Sequence, residues 1–124
     1  MITETQQFFI DVLKLFPVEE TSVLLIQAPY EELDEIFKKI SFKNDDIHQF
    51  VKFDRKNIEL VLFETIYNDF VGYIQSIEIK VDDRKIFEGY DTMEYGMFSN
   101  KFNLPKEFKE KYTKMDMCMI SEDW

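Results

Sequence analysis

Hydrophobic periodicity changes partway along this chain, and that change restricts the fold more than any other feature. In two stretches before residue 41 the apolar side chains recur at spacings of three and four. Phe9, Val12, Leu13 and Phe16 make one stripe, and Leu33, Ile36, Phe37 and Ile40 make a second. That spacing lines one face of an α-helix. Beyond residue 46 the spacing drops to two. Ile47, Gln49, Val51 and Phe53 alternate with His48, Phe50, Lys52 and Asp54, as in a strand with unlike faces. A chain with both patterns has to bury its helical stripes against a sheet. The expected class is α+β, a single domain with helices packed on one face of a largely antiparallel sheet.

Local signals set the expected elements. Thr3 and Gln6 have capping-box spacing, so a helix is expected over 3–16, ended by Pro17, whose ring lacks the N–H needed to continue. The apolar run 22–27 reads as a buried strand. Pro29 is expected at the first position of a second helix, where its missing N–H costs little. Residues 41–46 read as a polar loop and 54–57 as a turn. Residues 58–67 fit two patterns. Ile58, Val61, Leu62, Thr65 and Ile66 trace a helical face, but the β-branched and aromatic content favours a strand, and a strand is the expectation. A strand over 72–81, a tight turn at 82–84 and a returning strand over 85–90 follow. Residues 91–99 read as a loop or short strand. Asn103 is expected to cap a short helix with Pro105 at its first position and Phe108 and Tyr112 facing inward. Met115, Met117 and Met119 alternate like a final strand.

The length of 124 residues fits one domain. Thirteen Phe and a hydrophobic fraction of 45% give it the means to fill a core without disulfides or metals. Three Gly and three Pro leave little chain for linkers. The single cysteine, Cys118, has no internal partner and reads as a small core residue. Residues 1–6 lack the basic and apolar regions of a signal peptide. No run approaches the roughly eighteen apolar residues of a membrane span. A cytoplasmic protein is expected.

Chemistry-bearing residues are sparse. His48 is the one imidazole and reads as a strand-surface residue. One His and one Cys do not assemble a zinc site. The aspartate pairs lack the alternation and central glycine of a calcium loop. No glycine cluster makes a phosphate cradle. No catalytic residue, metal ligand or cofactor is assigned.

What the chain does carry is charge. Twenty-five acidic side chains oppose fifteen basic ones, a net −10. Nucleic acid and anionic membranes are disfavoured as direct ligands, because their binders present basic stripes. A cationic protein partner is favoured, since opposite charge raises encounter rates. Three clusters are candidates for its docking. The first is Glu31, Glu32, Asp34 and Glu35, which also suits the start of a helix. The second mixes acids with aromatics: Glu88, Tyr90, Asp91, Glu94 and Tyr95, the residue types of an interface centre. The third is Trp124 behind Glu122 and Asp123.

The segment Ile86-Phe87-Glu88-Gly89-Tyr90-Asp91, with Leu104-Pro105-Lys106-Glu107-Phe108-Lys109-Glu110-Lys111-Tyr112 after it, resembles the small acidic immunity proteins of bacterial toxin systems, contact-dependent inhibition among them. The resemblance implies a non-enzymatic inhibitor that covers the active site, or an adjacent surface, of a basic toxin domain such as a nuclease. Other readings stay open: a nucleic-acid mimic, a small ligand-binding domain or enzyme, and a subunit of an assembly.

Overall fold

The computed structural model describes residues 2–19, 21–45 and 47–124. Met1, Glu20 of the expected connector and Asp46 of the expected loop lie outside the described residues. In chain order the elements are helix α1 (Glu4–Lys14), strand β1 (Ser22–Gln27), helix α2 (Asp34–Ile40), strands β2 (Ser41–Asn44) and β3 (Gln49–Lys52), helix α3 (Arg55–Asn68), strands β4 (Ser76–Val81), β5 (Arg84–Tyr90) and β6 (Tyr95–Phe98), helix α4 (Lys106–Lys114) and strand β7 (Cys118–Ile120). Short 3-10 turns, Glu31–Leu33 and Phe70–Tyr73, lead into α2 and follow α3. The strands form one sheet in the order β2-β3-β1-β4-β5-β6-β7, antiparallel except for β6 with β7. The expected class holds.

Register explains why one face of the sheet is dry. Val51, Leu24, Ile79, Phe87 and Phe98 pair in a continuous row across five strands. All five are buried. Alternation puts Ile26, Ile77, Gly89 and Gly96 in the next row on the same face. The helices bring Phe8, Phe9, Val12 and Leu13 from α1, Phe37 and Ile40 from α2, Ile58 and Val61 from α3, and Phe108 and Tyr112 from α4 into the same core. The Phe8 ring is the junction, with centroids 4.8 Å from Tyr112, 6.0 Å from Phe108 and 6.3 Å from Phe87. The opposite face carries Phe50, Lys52, Val23, Glu78, Lys80, Glu88, Tyr90, Tyr95 and Met97.

Several local expectations are met. Thr3 caps α1 with the reciprocal capping box to Gln6. Asp82 and Asp83 both take left-handed φ, 51° and 63°, as a two-residue hairpin turn following the sheet's twist requires. Phe108 and Tyr112 face inward.

Other expectations are corrected. Residues 58–67 are helical, inside α3. Asp54 caps that helix by accepting the Asn57 N–H at 2.8 Å, so the segment read as a turn is a helix start. The competing stripe of Ile58, Val61 and Thr65 is the one the core selects. Residues 41–44 are an edge strand, because Ser41 and Lys43 pair with Val51 and Phe50. The strand expected over 72–81 begins at Ser76, after the 3-10 turn that holds Tyr73. Pro29 precedes its helix by several residues, and Pro105 is the N-cap of α4, not its first turn. Of the three methionines only Met117 is buried; Met119 is exposed on β7.

A candidate docking groove at the acidic end of the sheet

The strands deliver the expected residues to two different ends of the sheet. At one end β1 finishes, β4 starts, and β5 turns into β6. Gln27, Ser76, Tyr90 and Tyr95 form the last paired row. Hydrogen bonds tie the chain just beyond it. Gln75 N–H donates to the Gln27 carbonyl at 2.8 Å, and Asp91 N–H donates to the Gln75 carbonyl at 3.2 Å. The Ser76 hydroxyl donates to Gln27 Oε1 at 2.9 Å.

On this floor lies a groove of about 300 Å³, lined by Pro29, Tyr30, Tyr73, Gln75, Asp91, Thr92 and Glu94 among others. Tyr30 and Tyr73 meet edge to face, 5.4 Å between centroids. Tyr30 is half exposed, and Glu31 and Glu32 follow it directly in the chain, both exposed. Two acids of the second cluster, Asp91 and Glu94, line this groove, and the first cluster follows Tyr30 in the chain without its carboxylates being part of the lining. Among the described residues, Glu31, Glu32, Asp34, Asp91 and Glu94 have no ion-pair partner. Glu35 reaches Lys38 at 3.2 Å, a fully surface pair worth little.

The turn that presents Asp91 and Glu94 is strained. Asp91, Thr92 and Met93 take φ of 50°, 56° and 63° in succession, a left-handed turn that non-glycine residues adopt at a cost of about 1 kcal/mol each or more. Met93 holds it in place. Its side chain is 1% exposed and packs over Gly89. A core anchor thus fixes two outward carboxylates.

Glu88, Tyr90 and Tyr95 stand on the uncovered sheet face beside the groove. The two tyrosine rings stack at 5.1 Å, paired directly across β5 and β6. Burial, and then the Glu88 carboxylate, push the Tyr90 hydroxyl up to about 12. Glu88 itself is partly neutralised by Lys85 at 3.3 Å.

Trp124 does not join this end. Its ring lies under Lys85 Nζ, 4.4 Å from the centroid, in a cleft of about 310 Å³ that also holds Arg84 and Lys101. Its N–H donates to Ser121 Oγ at 3.0 Å, and its carbonyl accepts from Asn100 N–H at 2.7 Å. That is an aromatic docked on the domain among cations. Acids at this end, such as Asp82 and Asp83, are interspersed with Arg84, Lys85 and Lys101.

Sequence reasoning missed Tyr30 and Tyr73. Tyr30 adjoins the first acidic cluster and was legible there; Tyr73 was assigned to a strand, which hid its role. His48 lies 3.8 Å from Asp45. Two backbone N–H donors, from His48 and Ile47, hold the Asp45 carboxyl below its usual range, so that pair is a local turn device. Burial pushes the Cys118 thiol up, as for a core cysteine. Among the described residues no three His, Cys, Asp or Glu side chains converge to hold a metal, and no helix is long and apolar enough to cross a membrane. Compared with known proteins, the chain matches no family model, no curated protein and no solved structure at a significant level.

Proposed function

We propose that this protein is a non-catalytic binding protein whose acidic groove receives a cationic segment of a protein partner, in the way an immunity protein neutralises a basic toxin domain in the cytoplasm. The observation that carries this reading is the convergence of Tyr30, Tyr73, Asp91 and Glu94 on one groove; Glu31 and Glu32, exposed, follow Tyr30 in the chain. The carboxylates steer the encounter. A Lys or Arg side chain entering the groove meets tyrosine faces and carboxylates together. Each cation–aromatic contact of that kind contributes about 0.5–2 kcal/mol. A nucleic-acid mimic fits less well, because it needs a long negative stripe, and here the far end of the sheet mixes both signs.

One specific observation favours a second reading. A wider cleft of about 600 Å³ beside Val18, Glu19, Lys52, Phe53 and Asp54 is large enough for a small ligand. The test is affinity capture from the native cell, followed by association kinetics of the captured protein with the wild type and with Asp91→Lys/Glu94→Lys. The expected partner is basic, and the double reversal slows association by about ten- to a hundredfold at low salt. An unchanged association rate removes the groove from the reading. Capture of a small molecule in the Lys52 cleft instead favours the second.

A further inference from the structure

The groove at the acidic end of the sheet has the make-up of an ammonium cage. Tyr30 and Tyr73 both line it, and their ring planes stand at 74°. Two rings set nearly at right angles enclose a corner, and a group seated in that corner meets a face of each. Pro29 and the fully buried Ile74 add apolar surface to the lining. Asp91 and Glu94 supply the charge, and among the described residues neither has an ion-pair partner. The Thr92 hydroxyl donates to the Asp91 carbonyl at 2.6 Å, so its proton is already committed. Among the described residues, no Lys, Arg or His lines the groove.

These features rank the cations that could enter. A guanidinium is flat and lies along a single ring face, so a right-angled corner offers it no matching slot. A primary ammonium is strongly hydrated and carries three donors, which the Pro29 and Ile74 side chains cannot accept. A trimethylammonium group is round and donates nothing. Its methyl groups fill an apolar corner while its charge meets aromatic faces and nearby carboxylates, the combination by which quaternary ammonium ions are recognised. The walls stand ready for it. Tyr73 closes the 3-10 turn Phe70–Tyr73, which the buried Phe70 and Val71 pin to the core. Gln75, two residues on, is bonded to the Gln27 carbonyl, and Asp91 to the Gln75 carbonyl. A wall fixed in advance spares the ligand the cost of ordering it.

We propose that this groove is a binding site for a trimethylammonium head, carried by a free small molecule of the choline type or by a trimethylated lysine side chain. The inference rests on reading the groove as a cation site, and it does not require the occupant to belong to a toxin. Tyr30 and Tyr73 hold the methyl groups, and Asp91 and Glu94 hold the charge.

Ligand-observed NMR with choline chloride as the probe tests the proposal. The choline methyl protons are expected to move upfield as they enter the corner, with a dissociation constant on the order of 1–10 mM. Ethanolamine, which keeps the charge without the methyl groups, and dimethylbutanol, the uncharged isostere, are each expected to bind at least about tenfold more weakly. Tyr30→Leu, at a half-exposed position outside the core, and Asp91→Asn/Glu94→Gln are each expected to weaken choline at least about threefold at an unchanged urea midpoint. A capped peptide carrying trimethyllysine separates the two sources. If the peptide binds more tightly than choline the head is protein-borne, and if choline binds more tightly it belongs to a free ligand. Ethanolamine or the alcohol binding as tightly as choline, no saturable shift up to about 50 mM choline, or undiminished affinity in Tyr30→Leu overturns the proposal. The docking of a cationic protein is read separately, from the association kinetics of Asp91→Lys/Glu94→Lys. A groove that ignores choline while that reversal still slows association loses this inference alone.

Discussion

Gly89 and Gly96 face each other across β5 and β6, and neither has a positive φ. Space is what they provide. A Cβ on Gly96 would sit 2.5 Å from Phe87 Cε1 and Cζ, and one on Gly89 would sit 2.3 Å from Met93 Sδ. The Phe87 ring is wedged there, 4.7 Å from Phe98 and 6.3 Å from Phe8. Rings of that size cannot shift without disturbing several neighbours. Gly96→Ala is therefore expected to destabilise the fold by about 1–3 kcal/mol, read as a lower urea midpoint at unchanged slope. A neutral result would mean that the Phe87 ring moves aside freely. In the sequence these two glycines are merely isolated. Their shared purpose depends on strand register, which no local pattern displays.

At the scale of elements the turn between β5 and β6 is the most instructive. Three successive left-handed residues include the β-branched Thr92 at φ 56°, a conformation that suits such a residue poorly. Replacing Thr92 with glycine relieves that strain but gives the unfolded chain more freedom. The expected net is a gain of about 0.5–1 kcal/mol, measured by thermal or urea unfolding; a loss would show that the Thr92 side chain supports the turn. The capping box of α1, the hairpin turn at Asp82 and Asp83, and the inward face of α4 were legible because each signal is complete within a few residues. Helix α3 was misread because its outer face is apolar as well. Phe63, Ile66 and Tyr67 erase the contrast between faces that makes amphipathic helices visible. Strand β2 was missed for a related reason: as an exposed edge it needs only backbone pairing with β3, and its composition reads as loop.

For the molecule as a whole, a net −10 is a load that every further ionisation increases. Tyr90 is held protonated in the fold by burial and then by Glu88, up to about 12. Tyr112 is raised too, by burial and then by its hydrogen bond to Asp11. An unfolded tyrosine ionises near ~10. A folded pKa above the unfolded one means that the unfolded state releases its proton first. The contribution is therefore fully present below pH ~10 and is lost as pH rises through about 12. Stability is expected to fall over that window, by urea titration at stepped pH. Tyr90→Phe is expected to make the fall shallower, and an identical pH profile in that variant would show that Tyr90 does not couple to folding.

The amino-acid sequence by itself determined the class of fold, the first and last helices, the β4–β5 hairpin and the acidic character of the surface. Each follows from side-chain periodicity, caps, turn residues or summed charge, all of which are local or additive. Tertiary structure decided where the acids and aromatics stand relative to one another. It carried Tyr30 and Tyr73 to one groove with Asp91, Thr92 and Glu94, set Trp124 beside Arg84, Lys85 and Lys101 at the other end, and left one stripe of α3 bare. Those outcomes depend on strand order and register, and strand order is chosen by how the whole core closes.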